Sequence, residues 1–136
     1  MKEGDSLPEI EKKITQAQIQ VYAEASGDFN PIHVNEDFAK TTQFGGTIAH
    51  GMLIASNVSE MMATAFKKSW LENGRLKIRF KAPVKPGDTV STFGTVKSIK
   101  ENLGARETTC NVGVRNQSGE DVITGEAVVT IPGAGS

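Results

Sequence analysis

An α+β domain in which an antiparallel sheet wraps one long buried helix is predicted for this chain, on three observations. From Gly51 to about Lys67, Met52, Ala55, Ser59, Met62 and Phe66 recur at alternating steps of three and four, and Ile54, Val58, Met61 and Ala65 make a second stripe beside them. A helix apolar on most of its sides is one that other elements cover. After it the period changes to two: Leu76, Ile78 and Phe80 alternate with Lys77, Arg79 and Lys81, the pattern of a half-buried strand. Three longer strand-like runs follow, separated by short turns, which reads as an antiparallel meander. Helices first and strands afterwards define the α+β class.

The elements are justified in chain order. Ile10 and Ile14 sit in a short polar and apolar opening. Thr15 is a suitable N-cap for a helix through about Ala25, and Gly27 is placed to end it. Gly27 and Pro31 both break helical geometry, and Pro31 pushes Asn30 toward an extended backbone, so the Gly27–His33 stretch is expected not to be an ordinary helix. Asn35 or a neighbour can cap a second short helix carrying Phe38 and Ala39, and Phe44-Gly45-Gly46-Thr47 forms a turn into the buried helix. Pro83-Val84-Lys85-Pro86-Gly87-Asp88 is a turn after the first strand. The later strands are expected at about 89–99, 105–116 and 122–131, with turns at Lys100–Gly104 and Gln117-Ser118-Gly119-Glu120, and residues 132–136 as a frayed tail. No internal repeat, low-complexity segment or long linker interrupts the chain.

At 136 residues the chain is one domain, 1–136, large enough to bury a core without disulfides or structural metal. A formal net charge of −1 argues against nucleic-acid or membrane-surface binding, which normally needs a basic excess. Cys110 is the only cysteine, so no internal disulfide forms and a reducing compartment is expected. Met1-Lys2-Glu3-Gly4-Asp5 lacks the basic segment and apolar run of a secretory signal, and Asn57 and Glu60 interrupt the apolar 52–66 stretch. The expectation is a soluble cytoplasmic protein.

Chemistry concentrates in Asp28, Asn30 and His33. A carboxylate, an amide and an imidazole so grouped can hold one water and move protons to and from it, the equipment of general acid–base chemistry. Equally, Gly-Asp-Phe-Asn-Pro can be no more than a turn, since its polar residues are the common turn formers. Gly51 opens the buried helix, where free N–H groups and the helix dipole can polarise a carbonyl and the missing Cβ lets an oxygen approach; it can also serve only tight packing. His50 reads equally as a capping, packing or catalytic residue. Ser59 is the polar exception in an apolar stripe, so its hydroxyl needs a partner, which its own helix backbone can supply. A metal site is poorly supported: His33 and His50 are the only histidines, Cys110 is remote, and no ligand pair has helical or knuckle spacing. No phosphate-cradling glycine motif is present. Lys77, Arg79, Lys81 and Lys85 form either a solvated strand face or a local patch for a nucleotide phosphate.

Taken together, Tyr22-Ala23-Glu24-Ala25-Ser26-Gly27-Asp28-Phe29-Asn30-Pro31-Ile32-His33, then Phe44-Gly45-Gly46-Thr47-Ile48-Ala49-His50-Gly51-Met52-Leu53, resemble the MaoC-like, (R)-specific enoyl-CoA hydratase family in order and spacing. Phe80-Lys81-Ala82-Pro83-Val84-Lys85-Pro86-Gly87-Asp88 extends the resemblance over nearly the whole chain. The resemblance implies a hot-dog fold and a homodimer with active sites at the subunit interface. It implies an acid–base pair of Asp28 and His33, with Asn30 associated, the Gly51 N–H on a thioester carbonyl, and Ser59 as a further hydrogen-bonding residue. The implied substrate is an acyl-CoA thioester, and no cofactor is required. Ala25 stands where the family often has a larger residue and Thr47 where it has proline, departures that touch pocket shape more than chemistry. A hot-dog thioesterase, a dehydratase acting on a carrier protein, and a noncatalytic acyl-CoA-binding subunit are the competing readings.

Overall fold

The computed structural model describes residues 1–132. In chain order its elements are β1 (Glu11–Lys13), α1 (Gln16–Ser26), α2 (Pro31–Val34), α3 (Glu36–Ala39), α4 (Gly51–Phe66), α5 (Lys68–Asn73), β2 (Arg75–Phe80), β3 (Thr89–Asn102), β4 (Ala105–Arg115) and β5 (Asp121–Pro132). The strands form one antiparallel sheet in the order β1-β3-β4-β5-β2. Its inner face is read directly from the period of two: Val90, Thr92, Gly94 and Val96 on β3, then Thr108, Cys110, Val112 and Val114 on β4, are buried. Against this face lies α4, with Ile54, Ala55, Val58, Met61, Met62 and Phe66 in the same apolar cluster. Gly94 brings helix and sheet close, since a Cβ there would stand 2.7 Å from Leu7 Cδ1 and 3.0 Å from Met61 Cε. An antiparallel sheet curved around one long helix is the hot-dog fold.

The α1 signals act as expected. Thr15 Oγ1 accepts from Gln18 N–H while the Gln18 side chain accepts from Thr15 N–H, a complete capping box, and Gly27 closes the helix at φ 77°. Thr15→Ala is therefore expected to cost about 0.5–2 kcal/mol, read as a lowered urea midpoint at unchanged m-value.

Four sequence expectations are corrected. Pro31 does not keep the 31–34 stretch out of a helix: it is the first residue of α2, where its missing N–H would have had no partner and its fixed φ suits the turn. Leu76 and Phe80 are not half-buried, being 36% and 54% exposed, because β2 pairs only with β5 and forms the sheet edge. Met52, although in the apolar stripe, is exposed at the start of α4. Pro132 is not tail but the end of β5, opposite Ala105; the other residues of that tail, 133–136, lie outside the described residues.

Burial of Cys110 pushes its thiol up from 9.0 to about 11. The folded chain keeps the proton where the unfolded chain has lost it, so this contribution to stability is complete below pH 9 and disappears as the pH rises through 11. Thermal melts of wild type and Cys110→Ala are expected to converge or cross across that interval, the wild type losing more.

Candidate active site

The site is built on the three short segments between α1 and α4. Asp28 follows the Gly27 turn, and its Oδ1 accepts from the Asn30 N–H at 3.2 Å. This fixes the carboxylate locally and leaves Oδ2 to face outward. Asn30 is the N-cap of α2, its Oδ1 accepting from Ile32 N–H at 3.2 Å. Its Nδ2 has no acceptor among the described residues. One turn of α2 then carries His33 back over Asp28, with Nε2 standing 4.0 Å from Asp28 Oδ2.

Partners decide the protons on His33. Its Nδ1 lies 2.8 Å from the Ile48 carbonyl oxygen, which can only accept, so Nδ1 carries the hydrogen and the neutral ring presents a lone pair at Nε2. Two acceptors then face one another. A water about 2.8 Å from each of two acceptors, aiming one hydrogen at either, sets them about 4.4 Å apart, close to the 4.0 Å observed. A water lying beside the pair can therefore bridge both atoms. The Asp28 side chain is 53% exposed and that of His33 12%, so a substrate can reach the pair.

α4 opens beside it. His50 is the N-cap residue but makes no side-chain cap, because its ring turns instead to the Asp28 main chain, with Nε2 2.9 Å from the Asp28 carbonyl oxygen. The first N–H of α4, on Gly51, has no acceptor among the described residues, as an oxyanion site requires. Gly51 also serves packing: a Cβ there would stand 2.8 Å from the Phe80 ring. His33, Gly51, Phe80 and Lys81 line a common cleft of about 320 Å³. Lys81 thus is the member of the cationic series placed at the cleft.

Ser59 lies further along α4, and its hydroxyl accepts from the Trp70 indole N–H at 3.0 Å. Its partner is that indole on α5, where the sequence had offered its own helix backbone. Thr47 is buried, donating to Gln16 Oε1 at 2.7 Å, and Gln16 Nε2 donates to the His33 carbonyl at 2.9 Å. Thr47 therefore acts on the frame that holds α2. Ala25 lines a separate groove between α1 and α4, with Tyr22, Val21 and Leu53.

Asp28, His33 and His50 each bring a ligand-capable atom to within 4.8 Å of the others. The donor set does not fit a metal. His50 Nε2 and His33 Nδ1 bear hydrogens given to carbonyls, and His50 Nδ1 is buried without a partner, which leaves Asp28 Oδ2 and His33 Nε2 as the atoms facing one another. His50 is the contributor that sequence reasoning left open. Its signal was its place in the Ala49-His50-Gly51-Met52 turn, but its contacts span 22 residues.

The MaoC like domain model matches residues 2–118, and the chain belongs to that family. An (R)-specific enoyl-CoA hydratase of Rhodospirillum rubrum is 39% identical over 99% of this chain and 91% of its own length. A 3-hydroxybutyryl-CoA dehydratase of Methylorubrum extorquens is 37% identical over 90% of this chain and 76% of its own. Among solved structures, an (R)-hydratase from A. caviae superposes with a TM-score of 0.83 at 31% identity, covering 97% of this chain and 98% of that one.

Proposed function

We propose that the chain is an (R)-specific enoyl-CoA hydratase, a hydro-lyase that adds water reversibly to a trans-2-enoyl-CoA to give an (R)-3-hydroxyacyl-CoA. The observation that carries this reading is the pair of acceptors, Asp28 Oδ2 and His33 Nε2, facing each other 4.0 Å apart beside the free N-terminus of a buried helix. Family membership and relatives named for the same chemistry support it.

The mechanism follows from the atoms. The thioester carbonyl accepts from Gly51 N–H, which draws electrons from the double bond and stabilises the enolate-like charge as water adds. Asp28 and His33 hold that water by its two hydrogens. One takes a proton as the oxygen bonds to C3, and the proton is returned to C2 on the same face, which restores the pair. Run backward, the same steps eliminate water. Asn30 Nδ2 is available to the reacting water or the thioester, and Ser59, whose oxygen is occupied by Trp70, retains its proton as a donor toward the acyl end. Lys81 supplies positive charge for the phosphates of the CoA. The chemistry needs no cofactor.

The active form in this reading is a homodimer. β2 is an edge strand with one side of its ladder free, and Leu76, Phe80 and Met52 are exposed apolar residues on or beside it. Natural proteins seldom leave such an edge uncovered. Among the described residues no helix is long and apolar enough to cross a membrane, and the free thiol of Cys110 suits the cytoplasm.

The test is incubation with crotonyl-CoA, following the enoyl-thioester absorbance and free thiol together. Loss of absorbance without thiol release is expected. Thiol release would identify a thioesterase, and binding without turnover a noncatalytic subunit.

A further inference from the structure

We propose that His50 is the positioning residue of the acid–base pair, fixing the Asp28 main chain through its Nε2–H and the plane of the His33 ring by stacking, with the two histidines held in opposite tautomers. The proposal rests on the hydratase reading for its kinetic part and on geometry alone for its tautomers.

His50 is 3% exposed. Its ring lies 3.9 Å from that of His33 at 24°, a stacked pair, and meets Tyr22 at 4.8 Å and 60°. Its Nε2 sits 2.9 Å from the carbonyl oxygen of Asp28. A carbonyl only accepts, so that nitrogen carries the hydrogen and Nδ1, which is buried with no partner, carries the lone pair. For His33 the same logic puts the hydrogen on Nδ1, toward Ile48, and the lone pair on Nε2, toward Asp28. Of the two imidazoles, His33 alone offers a basic nitrogen to the water gap. His50 has already committed its one N–H, and its lone pair faces the interior.

What His50 controls is the gap. Asp28 and His33 belong to segments that meet nowhere in a regular hydrogen-bond ladder, so their spacing depends on local turns and on what ties the segments together. His50 touches both at once, from the first residue of the rigid α4 element's cap. Its hydrogen bond holds the peptide of the residue that bears the carboxylate, and its stack sets the ring that bears the base. The same commitment explains why α4 has no side-chain cap. One side chain therefore serves both halves of the site without touching substrate.

The chain contains two histidines, so the test begins with two-bond ¹⁵N–¹H correlation spectra of histidine-labelled wild type at neutral pH. One ring is expected as the Nδ1–H tautomer and one as the Nε2–H tautomer, the first lost in His33→Ala and the second in His50→Phe. Two rings in the same tautomer would overturn the proposal. For kinetics, His50→Phe keeps an aromatic ring against His33 but removes the donor to Asp28. With crotonyl-CoA its kcat is expected to fall about 10- to 100-fold, the scale of a small misplacement of catalytic groups, with KM changed less than about threefold. His50→Gln restores an N–H toward Asp28 but lacks the ring that stacks on His33, so it is expected to recover only part of that kcat. A folded His50→Phe with wild-type kcat, or a folded His50→Gln with wild-type kcat, would contradict the positioning role. Should His50→Phe fail to fold, the wild-type spectrum and His50→Gln decide. A wild type without turnover would count against the hydratase reading, and the spectra would still decide the tautomers.

Discussion

Asp28→Asn and His33→Ala are each expected to lower kcat for enoyl-thioester hydration by about 10²- to 10⁴-fold, the usual scale for a positioned proton transfer. Asn at position 28 is nearly isosteric, and its Oδ1 can still accept from the Asn30 N–H as the carboxylate does. It turns the other oxygen into an N–H donor, however, so a water bridging Asp28 and His33 would lose one of its two acceptors. Because the Asp28 side chain faces solvent, the melting temperature should stay near that of wild type. His33→Ala removes the Nε2 acceptor facing Asp28 and also the donor to the Ile48 carbonyl and the stack on His50. It should cost about 1 kcal/mol of stability, the scale for losing a hydrogen bond to a part-buried acceptor, without unfolding the domain. Circular dichroism and initial rates on both variants check these outcomes, and KM should move less than kcat if both groups act on the transition state.

Gly125→Ala is expected to be strongly destabilising, at about 3 kcal/mol or more, the upper range for overpacking. A Cβ at this position would meet the Lys77 carbonyl oxygen at 2.2 Å and Ile78 Cα at 2.8 Å, both of them backbone. Backbone in a paired strand cannot step aside as a side chain can, so β2 must separate from β5 where Ile78 faces Gly125. The consequence reaches the candidate site, because Phe80 at the end of β2 and Lys81 after it line the same cleft as His33 and Gly51. Gly46→Ala is the control: its Cβ would meet only the flexible end of the Glu36 side chain, at 3.2 Å. A large drop in urea midpoint for Gly125→Ala and a small one for Gly46→Ala are expected.

Much of this was legible in the sequence, and the exceptions have physical causes. The buried helix and the three long strands were legible because their apolar residues face one shared core, so the periods of 3.6 and 2 survive in the sequence. The edges were not. β1 is three residues long and exposed throughout, so it carries no period to read, and β2 alternates in sequence while exposing Leu76 and Phe80. α5 begins after Lys67 at φ 53°, a turn for which lysine gives no signal. Pro31 was read as a breaker where it is an initiator, since proline's effect on a helix depends on whether it falls in the first turn.

The site divides in the same way. The proximity of Asp28, Asn30 and His33 is legible because a single turn brings them together, whereas the contacts of His50 exist only once α4 is folded back against Asp28. Ser59 reads in the sequence as a hydroxyl in need of a partner, yet that partner, Trp70, belongs to an element the sequence does not announce. Thr47 shows the same limit, for its hydroxyl reaches His33 through Gln16, 31 residues away.

The most direct test of the central claim is the configuration of the product formed from crotonyl-CoA, assayed with dehydrogenases specific for (R)- and (S)-3-hydroxyacyl-CoA. Wild type is expected to give the R product alone, with Asp28→Asn nearly inactive. S or racemic product, or R product made at an undiminished rate by Asp28→Asn, would contradict the assignment of water addition to the Asp28 and His33 gap.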